Sequence, residues 1–142
     1  MMTKFNLSFV KKLTTNEKTE LVSVQNFWFT SSNETHNIPQ VMVTDGPSGL
    51  RKQADNADAL GLNKSVEAIN FPSAALTASS FNVDMLYQLG QHLGKAAKSE
   101  NVSVLLDPGV NIKRSPLAGR NFEYFSEDPY LAGELGAAYV NG

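Results

Sequence analysis

The alternation of apolar and polar positions marks out short elements separated by two long loops. Thr14 and Glu17 stand at capping-box spacing ahead of Leu21 and Val22, which predicts a short helix over about 15–22. Phe27, Trp28 and Phe29 form an aromatic cluster. Val41, Met42 and Val43 then read as a buried strand ending at the turn signal Asp45-Gly46-Pro47. The small-residue stretch 74–80 reads as a second strand or the end of one. Leu86, Leu89, Leu93 and Ala97 mark one helical face behind a cap at Asn82 or Asp84, so a helix is expected to reach about Glu100. Val102, Val104, Leu105 and Leu106 read as a further buried strand, closed by Asp107-Pro108-Gly109. Asp128 caps a last helix, with Pro129 at its first position and Leu131, Leu135 and Ala138 facing inward.

Strands alternating with helices imply an α/β fold with a parallel sheet covered by helices. In a (β/α)₈ barrel the loops after the strands build the active site. The loop holding Asp45 and the loop after Leu106 both leave a strand at that end. The connections 52–70 and 110–127 are long for plain links, and such loops are more often functional than accidental.

Composition narrows the classes. The 142 residues suit one domain, with 42 % hydrophobic and 18 % charged residues. A net charge of −2 gives no reason to expect nucleic acid or an anionic membrane as partner. There is no cysteine, which excludes disulfides and thiolate metal sites, and His36 and His92 are too few for a histidine-based one. No stretch has the length of a signal-peptide core or a membrane span, so a cytoplasmic protein is expected.

Asp45, Arg51 and Arg120 are the residues suited to a pocket. Sugar hydroxyls both donate and accept, so a sugar site needs carboxylates and guanidinium groups, whose charge-assisted bonds are about twice as strong as neutral ones. Trp28, Phe122 or Tyr124 can stack on a sugar face. Plainer roles remain open for each: Asp45 as a turn starter, the arginines exposed or paired with Asp55, Glu123 or Glu127, and the aromatic rings as core. Lys113-Arg114 reads as a solvated pair. Glu123, Glu127 and Asp128 form an acidic cluster, but Asp128-Pro129 is a helix start and Glu127 suits the positive end of its dipole. The phosphate-loop, dinucleotide and nucleophile-elbow patterns are absent. Composition and spacing stop at an α/β domain.

The string GVNIKRSPLAGRNFEYFSEDPYLAGELGAAYV, from Gly109 to Val140, closely resembles the signature region of family 3 glycoside hydrolases of the β-glucosidase type. VMVTDGPSGLRKQ, from Val41 to Gln53, resembles that family's first strand and loop. LTTNEKTELVS, NFWFT, FPSAALTASSFN and AKSENVSVLLDPG match in the same order, so the resemblance covers nearly the whole chain. It implies that residues 1–142 are the first half of a (β/α)₈ catalytic barrel. It implies that Asp45, Arg51 and Arg120 bind the sugar in subsite −1, with Glu123 holding an arginine from behind. The family cleaves terminal β-glucosidic or related bonds with retention, using an aspartate nucleophile and a glutamate acid/base.

Both of those catalytic groups are expected downstream of Gly142, so the isolated chain carries no catalytic residue and is expected to be inactive. Half a barrel would leave an unpaired strand edge and an uncovered core face. No cofactor or metal is implied. The implied partners are a small-molecule carbohydrate and the C-terminal part of the same enzyme. The alternatives are a non-catalytic carbohydrate-binding or interaction module, or a half-barrel completed by a separately encoded partner. Four positions depart from the family pattern: Val24 and Asn37 stand where glycine is usual, Ser48 where histidine is frequent and Asp107 where glycine is frequent.

Overall fold

A computed structural model describes residues 7–54 and 64–142. The helices are α1 (Leu7–Val10), α2 (Thr15–Leu21), α3 (Ala74–Ala78), α4 (Val83–Ser99) and α5 (Pro129–Asn141). The strands are β1 (Val43–Asp45) and β2 (Val104–Leu106), and single 3₁₀ turns lie at Glu34–His36 and Asn121–Glu123. Asp55, a candidate arginine partner, lies outside the described residues.

Side-chain caps start the three longest helices, as the sequence predicts. Thr14 and Glu17 form a reciprocal capping box on α2, each side chain bonding the other's backbone N–H. Asn82 Oδ1 accepts from the Met85 N–H at 3.0 Å to open α4. Asp128 accepts from the N–H groups of Tyr130 and Leu131 at the start of α5, whose first residue is Pro129.

The core forms where α4 crosses α5. Leu86 and Leu93 from α4 meet Ala132, Leu135, Ala138 and Tyr139 from α5, and Ala74, Ala78 and Phe125 close the cluster. Leu86 and Leu135 are fully buried. Gly90 permits the close approach, because a Cβ there would lie 2.1 Å from the Tyr139 carbonyl oxygen. A second, smaller cluster of Leu50, Ala97 and Val102 packs beneath the sheet, with Leu105 touching both.

The two strands are parallel neighbours, with Val43 opposite Val104, Thr44 opposite Leu105 and Asp45 opposite Leu106. α3 and α4 supply the crossover between them. This is an α/β arrangement, and both strands end at the same edge, where the loops carrying Asp45 and Asp107 begin.

Three sequence expectations need correction. The stretch 74–80 is not a strand: Ala74–Ala78 is a helical turn and a half, buried through Ala74, Thr77 and Ala78, with the Thr77 hydroxyl bonded to Ala74 O at 3.0 Å. Five residues are too few to show a helical period, although the alanines favour a helix over a strand. The first strand begins at Val43 and includes Asp45, because Met42 pairs instead with Phe29 in an antiparallel bridge. The second is not buried on both faces: Val104 and Leu106 are 41 % and 59 % exposed, since no described element covers that face. The ends of the long connection 52–70 pair with each other, for Ala54 N bonds Lys64 O and Val66 N bonds Lys52 O, both at 2.8 Å.

The departures from the family pattern are accommodated differently. Asn37 adopts the left-handed conformation at φ 53°, which its short polar side chain tolerates. Val24 keeps a negative φ and sits exposed in a bridge to Thr30, so it escapes the strain a β-branched residue meets at positive φ. No helix among the described residues is long and apolar enough to cross a membrane.

Candidate functional site

The loop after β1 folds straight back on itself. Arg51 N–H donates to Asp45 O at 3.0 Å, pairing the two residues across the turn, and the Thr44 hydroxyl donates to Arg51 O from within the sheet. Gly49 makes this turn possible at φ 134°, and a Cβ there would stand 2.2 Å from the Ile69 carbonyl oxygen. Asp45 therefore starts the turn with its carbonyl and leaves its carboxylate exposed beside Arg51.

The loop after β2 returns to the same edge by a longer route. Asp107-Pro108 is a cis peptide. Gly109 then pairs with Tyr124, and Lys113 N bonds Ser126 O at 3.2 Å. Asn121 Nδ2 ties the far end back to Ser115 O at 2.7 Å. These bonds hold the Asn121–Glu123 turn against the strand end.

The two loops enclose a cavity of about 280 Å³ lined by Asp45, Pro47, Arg51, Leu106, Asp107, Pro108, Gly109, Arg120 and Glu123. All four sequence candidates thus share one wall system. Glu123 and Arg120 form an ion pair through Arg120 Nε, with the glutamate side chain 12 % exposed and the arginine 75 % exposed. Glu123, Tyr124 and Asp45 all favour the cation, and Glu123 does so most, so Arg120 is held above the usual guanidinium range. A largely covered acid thus anchors a cation that reaches into solvent.

Trp28, Phe122 and Tyr124 do not line this cavity. Trp28 Nε1 is bonded to Gln53 Oε1 at 3.1 Å, and Phe122 is exposed. Glu127 and Lys113-Arg114 lie on a separate open surface with Ser115 and Asn121. His36 contacts Glu17 at 3.0 Å, far along the chain from the cavity, and His92 is exposed on α4. Among the described residues no group of three or more His, Asp or Glu is placed to hold a metal ion.

Chemically, the cavity offers two arginines and three carboxylates converging from two strand ends, an arrangement matched to a neutral polyhydroxylated ligand. Residues 8–142 match the family described as the glycosyl hydrolase family 3 N terminal domain. The chain belongs to glycoside hydrolase family 3. Within that family it is 52 % identical over 133 residues to thermostable beta-glucosidase B of Acetivibrio thermocellus, covering 94 % of this chain and 18 % of the relative. It is 47 % identical to the exo-alpha-(1->6)-L-arabinopyranosidase of Bifidobacterium longum, over 94 % of this chain and 18 % of that protein. The structure of the β-glucosidase from Kluyveromyces marxianus in complex with glucose superposes with a TM-score of 0.82 at 38 % identity, covering 95 % of this chain and 15 % of that one.

This family 3 chain therefore spans less than a fifth of the length of the relatives it matches. Sequence reasoning does not place Asp107 in the site. Ahead of Pro-Gly it reads as a strand terminator, and its departure from the family's usual glycine is the one signal that marks it.

Proposed function

We propose that this chain is the N-terminal part of a retaining β-glucosidase-like hydrolase and forms much of its subsite −1. In this reading Asp45 accepts from sugar hydroxyls on the side of the ring away from the scissile bond, while Arg51 and Arg120 donate. Glu123 fixes the direction of Arg120. The observation that carries the reading is the convergence of Asp45, Arg51, Arg120 and Glu123 on one cavity at the ends of adjacent parallel strands. Strand ends are where a (β/α)₈ barrel builds its site, which supports the reading of this fold as the first half of such a barrel.

Retaining cleavage needs a nucleophile and an acid/base about 5–5.5 Å apart on the two sides of the reacting bond. The three carboxylates of the cavity have other work: Glu123 is bound to Arg120, Asp45 belongs to the hydroxyl-binding wall, and Asp107 is tied to the Tyr139 hydroxyl. The cutting pair is accordingly assigned to sequence beyond these 142 residues. The exposed faces of Val104 and Leu106 favour a sheet completed by further strands in the whole protein. The sugar is a hexose or pentose of the kind named for the relatives, glucose and L-arabinopyranose among them.

The test is an assay of the isolated chain and its Asp45→Ala variant. The isolated chain is expected to bind D-glucose and to leave an aryl β-glucoside uncut, and Asp45→Ala is expected to abolish the binding. Turnover by the isolated chain that vanished in Asp45→Ala would contradict the assignment of the cutting pair elsewhere. Unchanged glucose affinity in the variant would contradict the subsite.

A further inference from the structure

The sugar-binding reading leaves one polar wall of the cavity unused. Asp107, the first residue after β2, lines the cavity between the Asp45–Arg51 turn and the Arg120–Glu123 pair. It is half-buried rather than swinging in solvent. The Tyr139 hydroxyl reaches from α5 to donate to its Oδ2, and the Gly109 backbone N–H donates to the same carboxylate. Asp107 also borders a narrow apolar crevice of about 10 Å³, lined by Leu89, Leu93, Phe125 and Tyr139 among others. The side chain is thus tied on its core side and borders the cavity on the other. A carboxylate has about four acceptor positions, and two donors leave capacity for a ligand hydroxyl.

We propose that Asp107 is a further sugar-binding and specificity-determining residue, whose carboxylate accepts a hydrogen bond from a hydroxyl of the sugar held by Asp45, Arg51 and Arg120. The inference rests on the subsite reading given above and adds a contact to it. A hydroxyl facing this wall gains a charged acceptor, and a sugar lacking it leaves the carboxylate without that partner. Discrimination between sugars differing at one hydroxyl follows from that difference.

The surroundings also give this contact a pH dependence. Burial and the negative charge of Glu123 push Asp107 up to about 6, against the Tyr139 and Gly109 donors that pull it down. The charged groups around it are Arg120 and Glu123 from the 3₁₀ turn and Asp45 and Arg51 at the end of β1, with the Tyr139 phenol on α5. The phenol is itself pushed up by burial and by its bond to Asp107, so it stays a donor throughout. Below about pH 6 Asp107 is protonated and becomes a neutral partner, which makes a bond about half as strong.

D-glucose binding to the 142-residue chain, followed by NMR at pH 8 and pH 5, tests this. The wild-type chain is expected to bind about fivefold more weakly at pH 5. Asp107→Asn is expected to remove that difference, binding at both values as the wild type does at pH 5. Tyr139→Phe removes a donor that holds the carboxylate down, so the midpoint of the pH dependence should move upward. Thermal unfolding of each variant at both pH values separates lost folding from lost binding. Asp107→Asn retaining the fivefold difference, or Tyr139→Phe retaining the wild-type midpoint, overturns the role of Asp107 while leaving the subsite intact if Asp45→Ala still abolishes binding. Glucose binding undisturbed by Asp45→Ala overturns the subsite, and a wild-type chain that binds no glucose overturns both.

Discussion

The two ends of the chain are held together by different forces. Around α4 and α5 the interactions are apolar: Leu86, Leu93, Ala132 and Leu135 are at most 2 % exposed, and the helices approach closely enough that Gly90 has no room for a methyl group. Around α2 no helical residue is buried. That region is tied by the Thr14–Glu17 capping box, the 3.0 Å contact from Glu17 to His36, and the edge-on packing of Phe9 against the His36 ring at 5.8 Å. Burial stabilises in proportion to area and is indifferent to pH, whereas exposed polar ties contribute little each and titrate. The candidate site leans on the first kind of support. Asp107 is tied to α5 through Tyr139, and the turn bearing Arg120 runs into the buried Phe125.

The sharpest way to break this contrast is Leu86→Ala. The side chain is fully buried, so its loss is expected to cost about 3 kcal/mol in urea unfolding. A cost under 1 kcal/mol would mean the α4–α5 seam is loose. Gly90→Val attacks the same seam by overpacking and should cost about 2 kcal/mol, since the Tyr139 carbonyl is backbone and cannot swing aside. Asp128→Ala removes the cap of a packed helix, with an expected loss of about 1 kcal/mol in the same measurement.

Glu17→Ala should have the smallest effect on global unfolding and the clearest dependence on pH. Bonds from the Thr14 backbone and hydroxyl, together with Asn33 and His36, hold the Glu17 carboxyl at about 2, below its ordinary 4.5. A depressed carboxyl stabilises the folded form above its unfolded value and stops doing so as pH falls through the folded one. The wild-type melting temperature should therefore fall more steeply than the variant's between about pH 4.5 and 2. Parallel curves would show that the capping box adds nothing. Amide exchange ought to separate the regions as well, α2 opening before α4.

What the sequence disclosed follows the same division. Caps and periodicity are local signals, so Thr14 and Asp128 could be placed on their helices from neighbours alone, and the cap of α4 could be narrowed to Asn82 or Asp84. Ala74–Ala78 is misread from sequence because the segment is too short to show a helical period, although its alanines favour a helix over a strand, and its packing into the α4–α5 core settles the matter. Residue chemistry singles out Asp45, Arg51 and Arg120 for a pocket but leaves Asp45 open as a turn starter, and a family motif ties the three to a sugar. The structure gives Asp45 both offices, its carbonyl in the turn and its carboxylate in the cavity. Asp107 stayed hidden because its partner Tyr139 is 32 residues away, and no local pattern encodes that bond.

The parallel register of β1 and β2 has a consequence for how this pocket can change. Three rungs, ending with Asp45 beside Leu106, fix where the two loops depart. Neighbouring strands lie about 4.8 Å apart whatever side chains they bear. Spacing across the mouth is thus a property of main-chain hydrogen bonds, and chemistry is a property of the residues just beyond them. Either loop can be rewritten, in nature or by hand, without moving the address of the other. A change of sugar preference in this scaffold is therefore a matter of new lettering on fixed posts.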